Sequence, residues 1–268
     1  MERAAVRKTI DSIIGQTWQN FEWIVIDGGS TDGSRDLIER HKDRIDYWVS
    51  ERDGGVFNAM NKGIAKAKGK YLNFMNSGDI YHTAETLHQV FSEAEKITSD
   101  TEKPHVLYAN YYESFANGRL NEKIMPKELD IEFLMHMPIN HQSTFISREL
   151  LAEEGYDESY KIIADWKSFM QWLMAGVPFY HLDTHVADFD MTGINLQFEV
   201  KKHQELARAF DEIIPNGVRI AADKLHEVNQ YPTLQRALYL FGRKKIYFKI
   251  IAHIVKVIFK FDQLISRK

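Results

Sequence analysis

The stretch FEWIVIDGGSTDGS, residues 21–34, predicts a buried strand that ends in a polar loop. Residues 21–26 are mostly apolar, Asp27 closes this strand, and the glycines and small polar residues after it are typical of a turn. A helix is predicted just upstream, because apolar side chains recur there at helical spacing: Val6, Ile10, Ile13 and Ile14. Helix, strand and loop thus open an α/β pattern.

Strand and helix patterns keep alternating downstream. Strands are predicted at 47–50, 71–75, 106–113 and 177–183, and helices at 34–41, 58–68, 87–94 and 166–173. This alternation predicts an α/β fold with a mainly parallel mixed sheet flanked by helices. The region 117–138 is less regular, and the chain after residue 199 is predicted to be helical to its end. We expect one domain over 1–215 and a helical C-terminal extension over 216–268.

The composition excludes several classes of protein. A net charge of -4 and a pI near 6.3 argue against a nucleic-acid partner, which would require a basic excess. The chain has no cysteine, so disulfides and thiolate chemistry are excluded and a reducing compartment suits it. No apolar run is long enough to span a bilayer, so we expect a soluble or peripheral protein.

An aspartate next to glycine closes or follows each of three predicted strands. Asp27 precedes a glycine pair, Asp53 precedes another, and Asp79 follows Gly78. One such Asp-Gly pair is explained by turn chemistry alone. Three in succession point to a ligand site, because open α/β sheets bind ligands at the carboxyl ends of their strands.

Five ordered segments resemble the family 2 glycosyltransferases of the GT-A fold, especially the type that builds O-antigen and capsule. They are KTIDSIIGQTWQNFEWIVIDGGSTDGS (8–34), AMNKGIAKAKGKY (59–71), NSGDIYH (76–82), INHQSTFISREL (139–150) and GYDESYKIIADWKSF (155–169). The resemblance implies an inverting transfer of sugar from a nucleoside-diphosphate sugar, with UDP favoured, to a hydroxyl. The acceptor would be a saccharide or a lipid-linked molecule in cell-surface polysaccharide synthesis, on the cytoplasmic side of the membrane.

The resemblance also assigns roles to residues. Asp165 corresponds to the general base that deprotonates the acceptor, a task worth roughly 10²- to 10⁴-fold in rate. Asp79 corresponds to a ligand of Mn²⁺ or Mg²⁺, which would neutralise charge on the departing diphosphate. Asp27, Asp53 and Asn76 correspond to the nucleotide-sugar pocket. His141 corresponds to a histidine beside the acceptor and the diphosphate.

The chain departs from the family pattern in four places. The chain opens directly at the first helix, so the usual first strand is expected to lie upstream of this sequence. Gly28 replaces one aspartate of the first loop, and Ala164 replaces the acid before the base. The Asp-x-Asp metal motif is reduced to Asn76 and Gly78, which leaves Asp79 as its acid.

Each assignment has a structural alternative. Asp27 and Asp53 could terminate strands and hydrogen-bond their own loops. Asp79 and Asp165 could be helix N-caps, and His141 could be an ordinary half-buried histidine. The aromatic side chains of the last segment are expected in the core rather than stacked on sugar: Trp166, Phe169 and Trp172.

The C-terminal segment 245–261 is strongly amphipathic as a helix. Its basic side chains fall on one narrow stripe at about 100° per residue: Lys245, Lys249, His253, Lys256 and Lys260. Such a helix can lie in a membrane surface with its lysines toward anionic lipid, which would make the enzyme peripheral on the inner face of the cytoplasmic membrane. The alternative is that it packs on the catalytic domain or on a partner chain.

Two other functions compete with sugar transfer. A nucleotidyltransferase shares the sheet and the metal-phosphate chemistry, but it predicts a glycine-rich basic phosphate loop near the amino terminus, which this sequence lacks. A degenerate, non-catalytic nucleotide-sugar-binding module would explain the reduced metal motif. Binding without turnover would distinguish that module from an enzyme.

Overall fold

A computed structural model of the protein describes residues 2–98, 101–192 and 199–214. The expected extension over 216–268, with its amphipathic segment, lies outside these residues. The helices are α1 (Glu2–Ile14), α2 (Ser34–Arg40), α3 (Val56–Ile64), α4 (Thr86–Thr98), α5 (Ile131–His136), α6 (Glu149–Ala152), α7 (Ala164–Met174) and α8 (Glu199–Ile213). The strands are β1 (Ile24–Asp27), β2 (Tyr47–Ser50), β3 (Tyr71–Leu72), β4 (Ile80–Tyr81), β5 (Val106–Ser114), β6 (Leu120–Lys123), β7 (Thr144–Ser147) and β8 (Phe179–Asp190).

The strands form two sheets. β1 and β2 pair in parallel, and the larger sheet runs β3-β7-β5-β8-β4 with β6 paired to β5. The predicted α/β class with a mixed, helix-flanked sheet is confirmed, but fewer of its strand pairs are parallel than expected. Among the described strands, parallel pairing is limited to β1 with β2 and β5 with β8. The difference arises because β6 returns from β5 as a hairpin, and because the short strands β4 and β7 both run antiparallel to their neighbours.

Three clusters of buried apolar side chains hold the helices to the sheets. α3, α5, α7 and α8 cover one side of the large sheet, with Tyr108, Ile146 and Phe169 almost fully buried between them. α4 covers the other side through Leu87 and Val90. A third cluster joins α1 and α2 to the β1–β2 sheet. The helical spacing of apolar residues noted in the sequence therefore matches the faces that are buried.

The β1–β2 pair stands apart from the large sheet. Within the described residues, the edge of β1 away from β2 pairs with no strand. Glu22 joins the two sheets at one end, because its Oε1 accepts a hydrogen bond from the backbone N–H of Gly69, just before β3, at 2.6 Å. The expectation of a further strand upstream stays a prediction. None of the described helices is long and apolar enough to cross a membrane.

Glu205 of α8 fixes the loop that leads into α7. Its buried carboxylate accepts hydrogen bonds from the backbone N–H groups of Lys161 at 2.8 Å and Ile162 at 2.9 Å. The N–H of Ile163 lies 3.4 Å from the same carboxylate. Since α7 begins one residue later, Glu205 sets where that helix starts.

Replacing Glu205 with alanine is expected to lower the free energy of unfolding by about 2–4 kcal/mol. The physical reason is that the substitution leaves several partly buried N–H groups without an acceptor. Urea denaturation measures the loss. Gln204→Ala is the matched control, because this exposed neighbour on α8 should change stability by less than about 0.5 kcal/mol. Equal stabilities for the two variants would contradict the role given to Glu205.

Candidate active site

A chain of side-chain contacts joins Asn76 to Asp165. Nδ2 of Asn76 lies 2.9 Å from Nε2 of His141, and Nδ1 of His141 lies 2.6 Å from Oδ2 of Asp165. The three side chains come from distant parts of the sequence: the loop after β3, the 3-10 turn His141–Ser143 and the first turn of α7. Only about 10% of the His141 side chain and 14% of the Asp165 side chain are exposed. Asp165 is therefore held in one orientation, with a small part of its side chain exposed.

Asp79 lies next to this series of contacts and is almost fully buried, with 2% of the residue exposed. Its Oδ2 accepts a hydrogen bond from Nε2 of Gln142 at 2.5 Å, and its Oδ1 accepts one from the backbone N–H of Asp190 at 2.8 Å. Burial raises the pKa of Asp79 to about 6, although these two hydrogen bonds act in the opposite direction. Because Gln142 adjoins His141, Asp79 and Asp165 converge on one place.

Thr9 of α1 orders the loop that carries Asn76 and Asp79. Its Oγ1 donates to the carbonyl oxygen of Asp79 at 2.8 Å and accepts from the N–H of Gly78 at 3.0 Å. Gly78 has a φ of 104°, which favours glycine. The loop after β3 is thus shaped by the first helix rather than by strand pairing.

Asp27 closes β1 and is 7% exposed. Its carboxylate accepts hydrogen bonds from the Oγ of Ser30 and the Oγ of Ser50, each at 2.5 Å. Burial acts to raise the pKa of Asp27, but the hydroxyl and backbone hydrogen bonds outweigh it and hold the pKa below its usual value. Asp27 therefore ties its own loop to the end of β2, which is the structural alternative foreseen from the sequence.

Asp53 is half-exposed and faces the loop after β1. Its Oδ1 accepts from the N–H of Gly55 at 2.9 Å. Its Oδ2 lies 2.8 Å from the position that a Cβ on Gly28 would occupy. A side chain at position 28 would displace Asp53, so the glycine and the aspartate fit together. Asp27 and Asp53 thus share one corner of the molecule, at the carboxyl ends of β1 and β2.

Two structural alternatives from the sequence are wrong. Asp165 does not cap α7, because Ile163 occupies the N-cap and Asp165 lies inside the first turn. Asp79 precedes β4 rather than a helix. The expected burial of aromatic side chains is confirmed for Trp166 and Phe169, which are 4% and 0% exposed, whereas Trp172 is half-buried against the same cluster.

Sequence reasoning missed Gln142, Asp190 and Glu205. Gln142 follows His141 in the segment 139–150, which resembles the family, so its position next to a proposed site residue could have indicated it. Asp190 and Glu205 lie beyond those segments, and they reach the site only through the pairing of β8 with β4 and the packing of α8 on α7.

The mixed sheet, the acidic side chains at its strand ends and the aspartate at the start of α7 define a protein of the GT-A class. Two solved structures share this fold. S. aureus TarS 1–349 in complex with UDP matches with a TM-score of 0.60 and 18% identity, over 80% of this chain and 63% of that one. A mannosyltransferase of Pyrobaculum calidifontis in complex with GDP-Man and Mn²⁺ matches with a TM-score of 0.59 and 18% identity, over 96% of this chain and 77% of that one.

The chain belongs to glycosyl transferase family 2, whose model matches residues 1–155. An uncharacterised glycosyltransferase of Rickettsia typhi is 27% identical over 218 residues, which are 76% of this chain and 67% of that protein. A PGL/p-HBAD biosynthesis glycosyltransferase of Mycobacterium bovis is 30% identical over 167 residues, which are 61% of this chain and 62% of that protein. The chain thus spans about two thirds of the length of these curated relatives.

Proposed function

We propose that this protein is an inverting glycosyltransferase that moves a sugar from a nucleoside-diphosphate sugar to a hydroxyl acceptor. The acceptor is a saccharide or a lipid-linked molecule in the synthesis of cell-surface polysaccharide. Family membership supports sugar transfer, and the S. aureus and Pyrobaculum calidifontis matches, solved with UDP and with GDP-Man, support a nucleotide-sugar donor. UDP is the nucleotide that we favour.

The contact between His141 and Asp165 is the observation that carries this proposal. It brings a carboxylate, the expected base, beside the loop of Asn76 and Asp79, where the resemblance expects the diphosphate. A base and a donor site must share one cleft for the transfer to occur in a single displacement. The placement of Asp165 against His141, and of Asp79 against the adjacent Gln142, supports a single site rather than acids on separate surfaces.

In the proposed reaction Asp165 takes the proton of the acceptor hydroxyl through a carboxylate oxygen. The acceptor oxygen attacks the anomeric carbon from the face opposite the diphosphate. One C–O bond forms as the C–O bond to the leaving phosphate breaks, and that bonding pair departs with the nucleoside diphosphate. The anomeric configuration therefore inverts, and no sugar-enzyme bond forms.

His141 is a positioning residue in this scheme. Its geometry suits a neutral ring that donates from Nδ1 to Asp165 and accepts at Nε2 from the amide of Asn76. Within the described part of the chain, the other oxygen of Asp165, Oδ1, accepts no hydrogen bond, so it is the oxygen that meets the acceptor. A carboxylate fixed in this way loses little orientational freedom when the acceptor binds.

The side chains of the described residues could hold a divalent cation only if oxygens of the bound donor completed its coordination shell. No group of three or more His, Asp or Glu side chains converges as a metal site within them. Both oxygens of Asp79, the expected ligand, accept hydrogen bonds from the protein. Mg²⁺ and Mn²⁺ at nucleotide sites need only one or two protein carboxylates, with phosphate and water oxygens completing the shell. Such an ion would neutralise charge on the departing diphosphate.

A thermal-shift screen of nucleotide sugars with and without Mn²⁺ tests the proposal. A ligand that binds the native state raises the melting temperature, and we expect one nucleoside-diphosphate sugar to do so more strongly with Mn²⁺ than without it. Release of nucleoside diphosphate upon addition of an acceptor would then establish transfer. Binding without turnover would favour the non-catalytic module, and no binding to any nucleotide sugar would contradict the proposal.

We further propose that the segment 245–261, predicted to be an amphipathic helix, holds the enzyme on the inner face of the cytoplasmic membrane. A tether would confine the protein to the plane that contains a lipid-linked acceptor. The intact chain should sediment with anionic vesicles, and a chain truncated before Gly242 should not. Equal sedimentation of the two chains would remove the tether from the account.

A further inference from the structure

The carboxylate of Asp190 fills the space where the family's metal motif has an acid and this chain has Gly78. A Cβ added to Gly78 would lie 2.6 Å from Oδ2 of Asp190, and 3.2 and 3.3 Å from its Cβ and Cγ. The φ of 104° at Gly78 already disfavours any side chain. An acidic group is therefore present at this point of the loop, but it comes from the end of β8.

Backbone and side-chain hydrogen bonds hold Asp190 in this position. Its N–H donates to Oδ1 of Asp79 at 2.8 Å. Its own Oδ1 accepts from the N–H and the Oγ1 of Thr192, at 2.8 and 2.7 Å. The turn at Thr192 thus occupies one oxygen and aims the other, Oδ2, at Gly78.

Solvent exposure distinguishes Asp79 from Asp190. Asp79 is 2% exposed and both of its oxygens accept hydrogen bonds, so it must give up a protein contact to reach a ligand. Asp190 is half-buried, and its Oδ2 is not among the atoms that accept hydrogen bonds from the described residues. Asp190 is consequently the better placed of the two to meet a cation from solvent.

We propose that Asp190 supplies the carboxylate that faces the donor diphosphate and its divalent cation, in place of the acid that is missing at position 78. This inference rests on the proposed function, because it assigns a residue to that donor site. It explains how a chain with Asn76 and Gly78 at the motif's acidic positions keeps a negative charge beside the diphosphate. Hard divalent cations take carboxylate oxygens together with phosphate oxygens, and one such carboxylate is sufficient.

Isothermal titration of UDP, GDP and dTDP, with and without Mn²⁺, tests the proposal. The wild-type chain should bind one of these diphosphates more tightly when Mn²⁺ is present. Asp190→Asn should reduce that Mn²⁺-dependent gain at least about tenfold and leave the metal-free affinity equal or higher, because a negative charge beside the phosphates is lost. Asparagine can still accept the hydrogen bonds of Thr192, so the turn itself should persist.

Two further variants separate charge from structure. Asp188→Asn is the matched control, because Asp188 lies two residues earlier on the same strand and pairs with His82 at 2.8 Å. It should keep the full Mn²⁺-dependent gain. If Asp190→Asn does not fold, Asp190→Glu keeps the charge but moves it by one methylene, and it should retain part of the gain.

The outcomes distinguish this inference from the proposed function. A full Mn²⁺-dependent gain in Asp190→Asn would overturn the role of Asp190 and leave the transferase proposal intact. The role of Asp190 would also be overturned if Asp190→Glu and Asp188→Asn lost equal parts of the Mn²⁺-dependent gain in affinity. Failure of the wild-type chain to bind any of the three diphosphates would contradict the proposed function and this inference together.

Discussion

Replacing Asp165 with asparagine is expected to slow sugar transfer at least about 100-fold, because the acceptor hydroxyl loses the group that takes its proton. The amide has almost the same shape as the carboxylate, and its oxygen can still accept the hydrogen bond from His141. The fold and the donor affinity should therefore persist. Steady-state rates of nucleoside diphosphate release, together with the donor's thermal shift, measure both parts of this expectation.

Asp130→Asn is the matched control for Asp165→Asn. Asp130 is also an aspartate at a helix start, where its side chain accepts a hydrogen bond from the N–H of Phe133 at 2.7 Å. Asparagine caps helices about as well as aspartate, so this variant should keep its stability and its rate. Unchanged turnover in Asp165→Asn would remove Asp165 from the mechanism.

Replacing His141 with phenylalanine is expected to lower the transfer rate by about 10- to 100-fold. The ring volume is largely kept, but Asp165 loses the partner that fixes its orientation, and a misplaced reacting group costs rate out of proportion to the distance moved. The loss should fall mainly on kcat, since the corner formed by Asp27 and Asp53 is not altered. Initial-rate kinetics over a range of donor concentrations separate kcat from KM.

His105→Phe controls for the loss of a buried histidine. His105 is 1% exposed, and its ring contacts the hydroxyl of Tyr71 and the carbonyl oxygen of Lys103 near the start of β5. This variant should be destabilised at least as much as His141→Phe while it keeps its rate per folded molecule. If the two variants lose activity in proportion to their stability alone, His141 has no positioning role.

Much of the fold could be predicted from periodicity, and the limits of that prediction have physical causes. The apolar runs at β2 and β5 and the helix patterns at α2 and α7 are strong local signals, and their bounds agree with the structure to within a few residues. Three strands were not predicted: β4, β6 and β7. β4 has only two residues, and β7 follows a 3-10 turn, so neither shows an alternation that can be distinguished from a loop.

The residues of the candidate site could be proposed from the sequence where chemistry and resemblance acted together. Asp79, His141 and Asp165 were each proposed from their segments, and the contacts through Gln142 bring the three together. The burial of Asp79 was not foreseen, because it depends on the backbone of β8. Asp190 could not be found from the sequence, because its approach to Gly78 depends on pairing between strands about 110 residues apart.

We propose that the loops after β1, β2 and β3 form one donor cleft in front of Asp165. Hydrogen–deuterium exchange of the intact protein, with and without a tightly binding nucleoside diphosphate and Mn²⁺, tests it most directly. We expect slower exchange at 28–33, 51–55 and 73–79, with little change at the exposed residues 116–122 between β5 and the end of β6. Protection confined to other surfaces, or equal exchange with and without the ligand, would contradict the account.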